Sequence, residues 1–140
     1  MRFDFPIPGE LMIGKVSEFG GPNDKHTKED EGLALYESNQ ISLNAHLFLG
    51  EQPSGTTGLI RRLNPESFYC AMRWNYRVTP KHILRRCMVS ITYRNKHVWA
   101  SPVDYGPGIK ERLIDVSPAV MKLLGVKTDE LVNVILRLPS

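Results

Sequence analysis

The chain has 140 residues, of which 41% are hydrophobic and 24% charged, and its formal net charge is +3. This length and composition suit one domain with a core of its own, and they exclude a chain that is disordered throughout. No apolar run approaches the roughly 18 residues that a membrane-spanning helix needs.

Residues 1–10, MRFDFPIPGE, read as an extended arm. Pro6 and Pro8 block a helix, and Phe3 and Phe5 alternate as strand residues do. Asp4 and the prolines also interrupt the apolar stretch that an export signal requires. The expectation is a chain that works inside the cell, is trimmed, is carried in a virion, or leaves by another route. Residues 11–140 are expected to form a single domain. LMIGKVSEFGG, from residue 11, reads as a first strand running into a Gly-Gly-Pro turn, followed by the charged loop PNDKHTKEDE. GLALYE reads as a short strand. SNQISLNAHLFLG alternates at Ile41, Leu43 and Ala45 before the run Leu47–Leu49, which predicts one or two further strands. EQPSGTTG is a loop by composition. Leu59, Ile60 and Leu63 fit the start of a short helix that Asn64-Pro65 would stop.

SFYCAMRWNY is aromatic and apolar and reads as a strand. TPKHILRR places Thr79 as an N-cap and Pro80 at a first helical position. CMVSITYRNKHVWASPVDYG predicts a hairpin, with Arg94-Asn95-Lys96 as the turn. RLIDV is a short strand. SPAVMKLLG is a helix of about two turns, with Ser117 as N-cap, Pro118 behind it and Gly125 as the stop. DELVNVILRLP closes the chain as a strand with Val132, Val134 and Leu136 on one face. Many short strands, one or two small helices and Gly/Pro turns predict a mainly β protein built as a small barrel.

The charge is uneven. Residues 1–60 hold four basic and nine acidic side chains, residues 61–96 nine basic and one acidic, and residues 97–140 five of each. The basic middle suits an acidic partner, or is a solvated face neutralised by the acidic N-terminal third. It follows no RNA- or DNA-binding motif, so nucleic acid is the weaker reading. Cys70 and Cys87 lack metal-knuckle spacing and read as buried free thiols ahead of a disulfide. His26, His46, His82 and His97 show no metal spacing either. No cofactor and no metal is implied.

Residues 98–138, VWASPVDYGPGIKERLIDVSPAVMKLLGVKTDELVNVILRL, resemble the C-terminal half of the double-psi β-barrel domains of rare lipoprotein A, expansins and their bacterial relatives. The residues that carry the likeness are Asp104, Gly106, Pro107, Arg112, Asp115, Ser117, Pro118, Leu124 and Gly125. IGKVSEF is similar to the first barrel strand of these families, where Gly-x-Ala-Ser/Thr-x-Tyr/Phe is usual. The resemblance implies a six-stranded double-psi β-barrel with one or two short helices. It also implies a cell-wall glycan as the target, with either binding or lytic transglycosylase-like cleavage. Asp115 matches the acid of the expansin and endoglucanase relatives, and Asp104 the essential turn aspartate of the transglycosylase. The Ser-Gly-Glu and Thr-Ala-Ala-His segments of that enzyme are absent, and Met72 stands at the nearest counterpart of its histidine.

Asp104 and Asp115 are therefore the candidate catalytic pair. A carboxyl group with a pKa raised by burial can protonate a glycosidic oxygen. Each has an ordinary alternative, Asp104 as a turn cap and Asp115 as a support for the following helix. Tyr105, Trp99, Trp74 and Tyr76 offer flat faces for sugar rings or core packing, with the core reading ahead for Trp99. Arg73 completes the candidate binding set. The expected partner is an acidic or neutral glycan. The competing class is a non-catalytic docking unit of a larger assembly, such as a phage tail or baseplate, that meets protein neighbours through the N-terminal arm and the basic middle.

Overall fold

The computed structural model describes residues 5–21, 24–25, 27–28, 30–51 and 58–140. Six strands form: β1 (Leu11–Glu18), β2 (Tyr69–Met72), β3 (Met88–Tyr93), β4 (Lys96–Tyr105), β5 (Arg112–Val116) and β6 (Leu131–Arg137). Two short helices accompany them, α1 (Lys81–Leu84) and α2 (Pro118–Leu124). The strands close into a barrel in the order β1-β5-β2-β4-β3-β6. Each strand turns alternate side chains inward. Val89 and Ile91 of β3, Val98 and Ala100 of β4, and Val132, Val134 and Leu136 of β6 are buried together as the core.

Two connections give the ring its topology. β4 and β5 follow each other in sequence but stand on either side of β2, parallel and antiparallel to it respectively. β5 and β6 likewise flank β1, again one parallel and one antiparallel. The chain thus crosses over an intervening strand twice. Both parallel pairings carry a register shift, at Lys15/Val16 in β1 and at Cys70/Ala71 in β2.

The hairpin and the second helix form as the sequence predicts. β3 and β4 pair from Val89–Ala100 to Tyr93–Lys96, so the turn holds Arg94 and Asn95, and Lys96 already belongs to the strand. Arg94 takes a positive φ of 54° there. In α2, Ser117 Oγ accepts the Val120 N–H at 3.3 Å. Gly125 ends the helix at φ 66°, a left-handed conformation that glycine adopts without strain.

Three expectations are corrected. Residues 38–47 form not strands but a 3₁₀ segment, Ser38–Leu47, kinked at Asn44. Gln40 Oε1 caps the Glu37 N–H at 2.9 Å, and the Asn44 side chain donates to Tyr36 Oη at 2.6 Å and to Arg85 O at 3.1 Å. These bonds outweigh an apolar alternation that has no continuous buried face, since Ile41 packs against the core but Leu43 is 61% exposed. GLALYE is no strand either. It makes one isolated bridge, Leu33 to Tyr36, and buries Leu33, Leu35 and Tyr36 against the barrel. Finally, Pro80 rather than Thr79 stands at the N-cap of α1, in extended conformation, while Thr79 is buried beneath it.

Cys70 and Cys87 are free and buried. Residues 1–4 of the arm lie outside the described residues. Within its remainder Pro6 is buried, and the Gly9 N–H donates to Leu136 O at 2.8 Å, which leads the chain into β1 alongside β6.

Candidate functional site

Asp104 near the end of β4 and Asp115 in β5 both stand in register with Ala71 of β2, one from each side. Asp115 is also in register with Ser17 of β1. Register partners project to the same face of a sheet. The four residues therefore form one row across the barrel on the side away from the core, Ser17–Asp115–Ala71–Asp104, in which Ser17 and Ala71 are buried and the two aspartates are partly exposed. Their neighbours Val16, Cys70 and Met72 point the other way, into the core. Two strand spacings separate the Cα atoms of the aspartates, about 10 Å.

Each carboxylate is held. The Ala34 N–H donates to Asp104 Oδ1 at 2.8 Å. The Leu35 N–H donates to Val103 O at 3.3 Å, and Arg85 Nη1 donates to Leu35 O at 2.9 Å. The 33–36 bend is thereby fastened beside the row. The Ser17 hydroxyl donates to Asp115 Oδ1. The β4–β5 crossing forms the next boundary, for a Cβ placed on Gly106 would lie 3.5 Å from Asp115 Oδ2.

Burial is the main reason that the Asp104 carboxyl has its pKa pushed up to about 6. The backbone N–H groups of Ala34 and Tyr105 oppose that shift, while Glu31 and then Asp115 add to it. Asp115 is also raised, by burial first, with the Ser17 hydroxyl, Arg112 and Arg73 pulling it back. Desolvation thus dominates both shifts. The pair does not share one proton in the manner of two carboxyls in contact.

Tyr76 and Tyr105 flank Asp104. Their ring centroids are 6.4 Å apart, and Lys81 Nζ lies 5.0 Å from the Tyr76 centroid. Burial raises the Tyr76 phenol, with the Asp104 charge adding to it. Tyr105 is 51% exposed. Trp74 is buried, and its indole N–H donates to Asp104 O at 2.7 Å, so it braces the strand end from behind. Arg73 bridges the β4–β5 crossing, donating to Pro107 O at 2.8 Å and Arg112 O at 2.7 Å. Met72 is fully buried, on the opposite face of β2 from Ala71. Trp99 stands apart. It is exposed rather than in the core, five residues back along β4 from Asp104, or about 16 Å of strand.

The row brings Asp104, Asp115, Tyr105 and Tyr76 into one region, with Arg73 and Trp74 as its supports. Sequence reasoning did not single out Ser17, Ala71 or the Ala34 N–H. The Ser/Thr position of the IGKVSEF pattern was a signal for Ser17. Ala71 has no mark of its own until the topology places it between two aspartates.

Part of the basic middle of the sequence is spent inside the structure. Besides Arg73, Arg61 donates to Thr27 O and Arg85 to Leu35 O, so three of its arginines hold loop carbonyls. Among the described residues, no group of three or more His, Cys, Asp and Glu could hold a metal ion, and no helix is long and apolar enough to cross a membrane.

The closed ring, its two parallel pairs and its crossings define a six-stranded barrel of the double-psi type. Among solved structures the chain is similar to the Streptomyces papain inhibitor, with a TM-score of 0.53 and 17% sequence identity over 96% of this chain and 99% of that one. At that identity the likeness is one of fold. No protein family and no curated protein matches the sequence.

Proposed function

We propose that this barrel is directed at a cell-wall glycan of the peptidoglycan type, which it binds or weakly cleaves along the Ser17–Asp115–Ala71–Asp104 row. The observation that carries the reading is Asp104, a partly exposed carboxyl raised to about 6 beside the Tyr76–Tyr105 pair. Aromatic faces pack on sugar rings, and a carboxyl in this range is a competent proton donor near neutral pH. The Ala34 N–H holds Asp104 Oδ1 and the Tyr105 N–H also bonds the carboxyl group, which together orient it at the end of β4. In a transglycosylase-like cycle Asp104 protonates the glycosidic oxygen and the bond to the anomeric carbon breaks. A hydroxyl of the same sugar then attacks that carbon and returns its proton to Asp104, so no water is consumed. Asp115 stabilises the developing positive charge from across Ala71.

The test is incubation of purified wild type and Asp104→Asn with peptidoglycan sacculi, measuring pelleted protein and released soluble fragments. Wild-type release lost in the variant supports cleavage. Sedimentation of both with the sacculi, without release, supports binding. A folded wild type that neither releases fragments nor sediments with the sacculi excludes this target.

A second reading is a docking barrel without chemistry. It is favoured by the hydrogen bonds that already occupy one oxygen of each aspartate, and by the absence of the Ser-Gly-Glu and Thr-Ala-Ala-His segments. The similarity to a barrel named for inhibiting papain supports it, since that protein's partner is another protein.

A further inference from the structure

The two ladders of β1 do not cover the same residues. Leu11 to Lys15 pair with β6, whereas pairing with β5 starts only at Lys15, opposite Arg112. The Val16 N–H donates to Glu130 O at 3.1 Å, on the β6 side. Backbone groups alternate in direction along a strand. Met12 and Gly14 therefore turn their N–H and C=O towards β6, and Leu11 and Ile13 turn theirs towards the side that has no strand. Among the described residues, no group bonds the backbone of Leu11 or Ile13 on that side. The open stretch has definite ends. Upstream the chain turns around Pro8, with the Glu10 N–H donating to Ile7 O at 3.0 Å. Downstream the Leu113 side chain lies against Gly14, where an added Cβ would meet it at 2.5 Å.

The same stretch is apolar on its outer side. Leu11 is 56% and Ile13 54% exposed. On β6, Ile135, Asn133 and Leu131 stand opposite Leu11, Ile13 and Lys15, and Leu131 is 60% exposed. β1 and β6 are neighbours in the ring, so these cross-strand partners are about 5 Å apart. A single exposed leucine is ordinary. Free backbone groups at alternate residues, beside an apolar patch on the adjoining strand, are the pattern that adds a strand.

We infer that a second copy of this chain adds at this edge, antiparallel, about a two-fold axis beside Met12, with Leu11 of each copy opposite Ile13 of the other. The edge is its own complement. In that register Leu11 and Ile13 exchange both backbone bonds across the axis, so every free group of the stretch finds a partner. Leu11 meets Ile13 on the outer side, and each pair is backed by its own β6. The charges agree as well. Glu10 of one copy falls opposite Gly14 of the other, next to the second copy's Lys15, while the two Lys15 side chains stay about 20 Å apart along the strands. Acyl chains would leave the same N–H and C=O groups without partners, at a cost that a strand avoids. The contact is short, so the dimer is a weak and concentration-dependent one. It uses the free edge of both copies and closes on itself. Ser17 lies four residues beyond Ile13, about 13 Å along β1, so the aspartate row stays clear, and the inference is independent of chemistry there.

The test is sedimentation equilibrium of the full chain from about 10 µM to about 1 mM, with amide hydrogen exchange read by NMR at both ends of that range. The variants are Leu11→Pro, Ile13→Lys and, on the far side of the ring, Trp99→Ser. Proline is tolerated at position 11, the first residue of the strand, whose N–H faces the open side. Support requires a monomer–dimer equilibrium that weakens at least tenfold in Leu11→Pro and in Ile13→Lys and is unchanged in Trp99→Ser. The Leu11 and Ile13 amides must exchange fast in the dilute chain and slowly in the concentrated one, with Met12 and Gly14 slow in both. Melting temperatures show which variants are folded. If Leu11→Pro fails to fold, Ile13→Lys and the amide exchange decide. A wild type that stays monomeric throughout overturns the inference, as does a dimer indifferent to both β1 variants, or assembly that grows past the dimer. Slow exchange at Leu11 and Ile13 in the dilute monomer overturns it by showing the edge already covered. Protection of those amides that appears only with phosphatidylglycerol vesicles or in cell extract, and not in the concentrated pure chain, overturns it in favour of a lipid surface or another protein's strand.

Discussion

The Asp104 carboxylate accepts the backbone N–H of Ala34 at 2.8 Å across 70 residues of sequence. One side chain thereby joins the long β1–β2 connection to the end of β4, whatever else it does. Asp104→Ala is expected to leave the Ala34 N–H without its acceptor and to cost roughly 1–3 kcal/mol. Asp104→Asn keeps an acceptor oxygen and should cost less. Urea denaturation of both variants checks the order, and equal losses would mean that the bond contributes nothing.

The raised pKa of Asp104 makes stability depend on pH in a defined direction. Its folded value of about 6 lies above the ordinary 3.8, so the protonated form favours the fold. The contribution is fully present below about pH 4 and is lost as pH rises through about 6, with an upper size of roughly 2–3 kcal/mol. The stability of wild type relative to Asp104→Asn should therefore fall between pH 4 and 7. A difference that stays flat over that range would show that Asp104 titrates normally.

Ser17 acts on Asp115 through its hydroxyl, which stabilises the ionised carboxylate. Ser17→Ala is expected to move the Asp115 titration further up, while Asp104 shifts little. Carboxyl-carbon NMR titration of the two aspartates reads this directly. If the row is the glycan site, the same substitution also shifts the pH profile of cleavage.

Helix α2 depends on its two ends. Ser117→Ala removes the acceptor for Val120 N–H and should cost about 1 kcal/mol, toward the larger end of cap effects because the residue is fully buried. Gly125→Ala should also destabilise, because φ 66° strains a residue with a Cβ. Thermal melts of both variants provide the check.

Cys70 and Cys87 are both buried, and burial pushes both thiols above their usual range. Neither should react with a thiol reagent in the folded chain, and two should react after denaturation. Rapid labelling of the native protein would contradict this packing.

The parts of the fold legible in the sequence are those fixed by neighbouring residues. The β3–β4 hairpin follows from alternation around Arg94-Asn95, and α2 from Ser117, Pro118 and Gly125. The 38–47 segment was not legible, because of its Ile41–Leu43–Ala45 alternation only Ile41 packs against the core and Asn44 finds its partners in Tyr36 and Arg85, which the fold supplies. Asp104 and Asp115 stood out through resemblance. That Ala71 lies between them is a consequence of β2 entering the barrel between β4 and β5. The placement of Trp99 was misread for a related reason. A hairpin strand has two faces, and the sequence of 96–105 alone does not say which one a neighbouring sheet will cover.

The β3–β6 pairing completes the ring, and that closure governs how the protein behaves at high concentration. Among the described residues every strand has a hydrogen-bonded neighbour on both sides for part of its length, so free N–H and C=O groups are confined to short stretches, such as Leu11–Gly14 of β1 and Lys96–Ala100 of β4, that pair on one side only. A protein with exposed leucine, isoleucine and tryptophan on open strands would be a template for fibrils. Here the ring leaves only such short half-paired stretches, which offer a poor edge to extend into a fibril. The barrel can thus carry exposed apolar side chains with less of the aggregation that an open sheet of the same composition would invite.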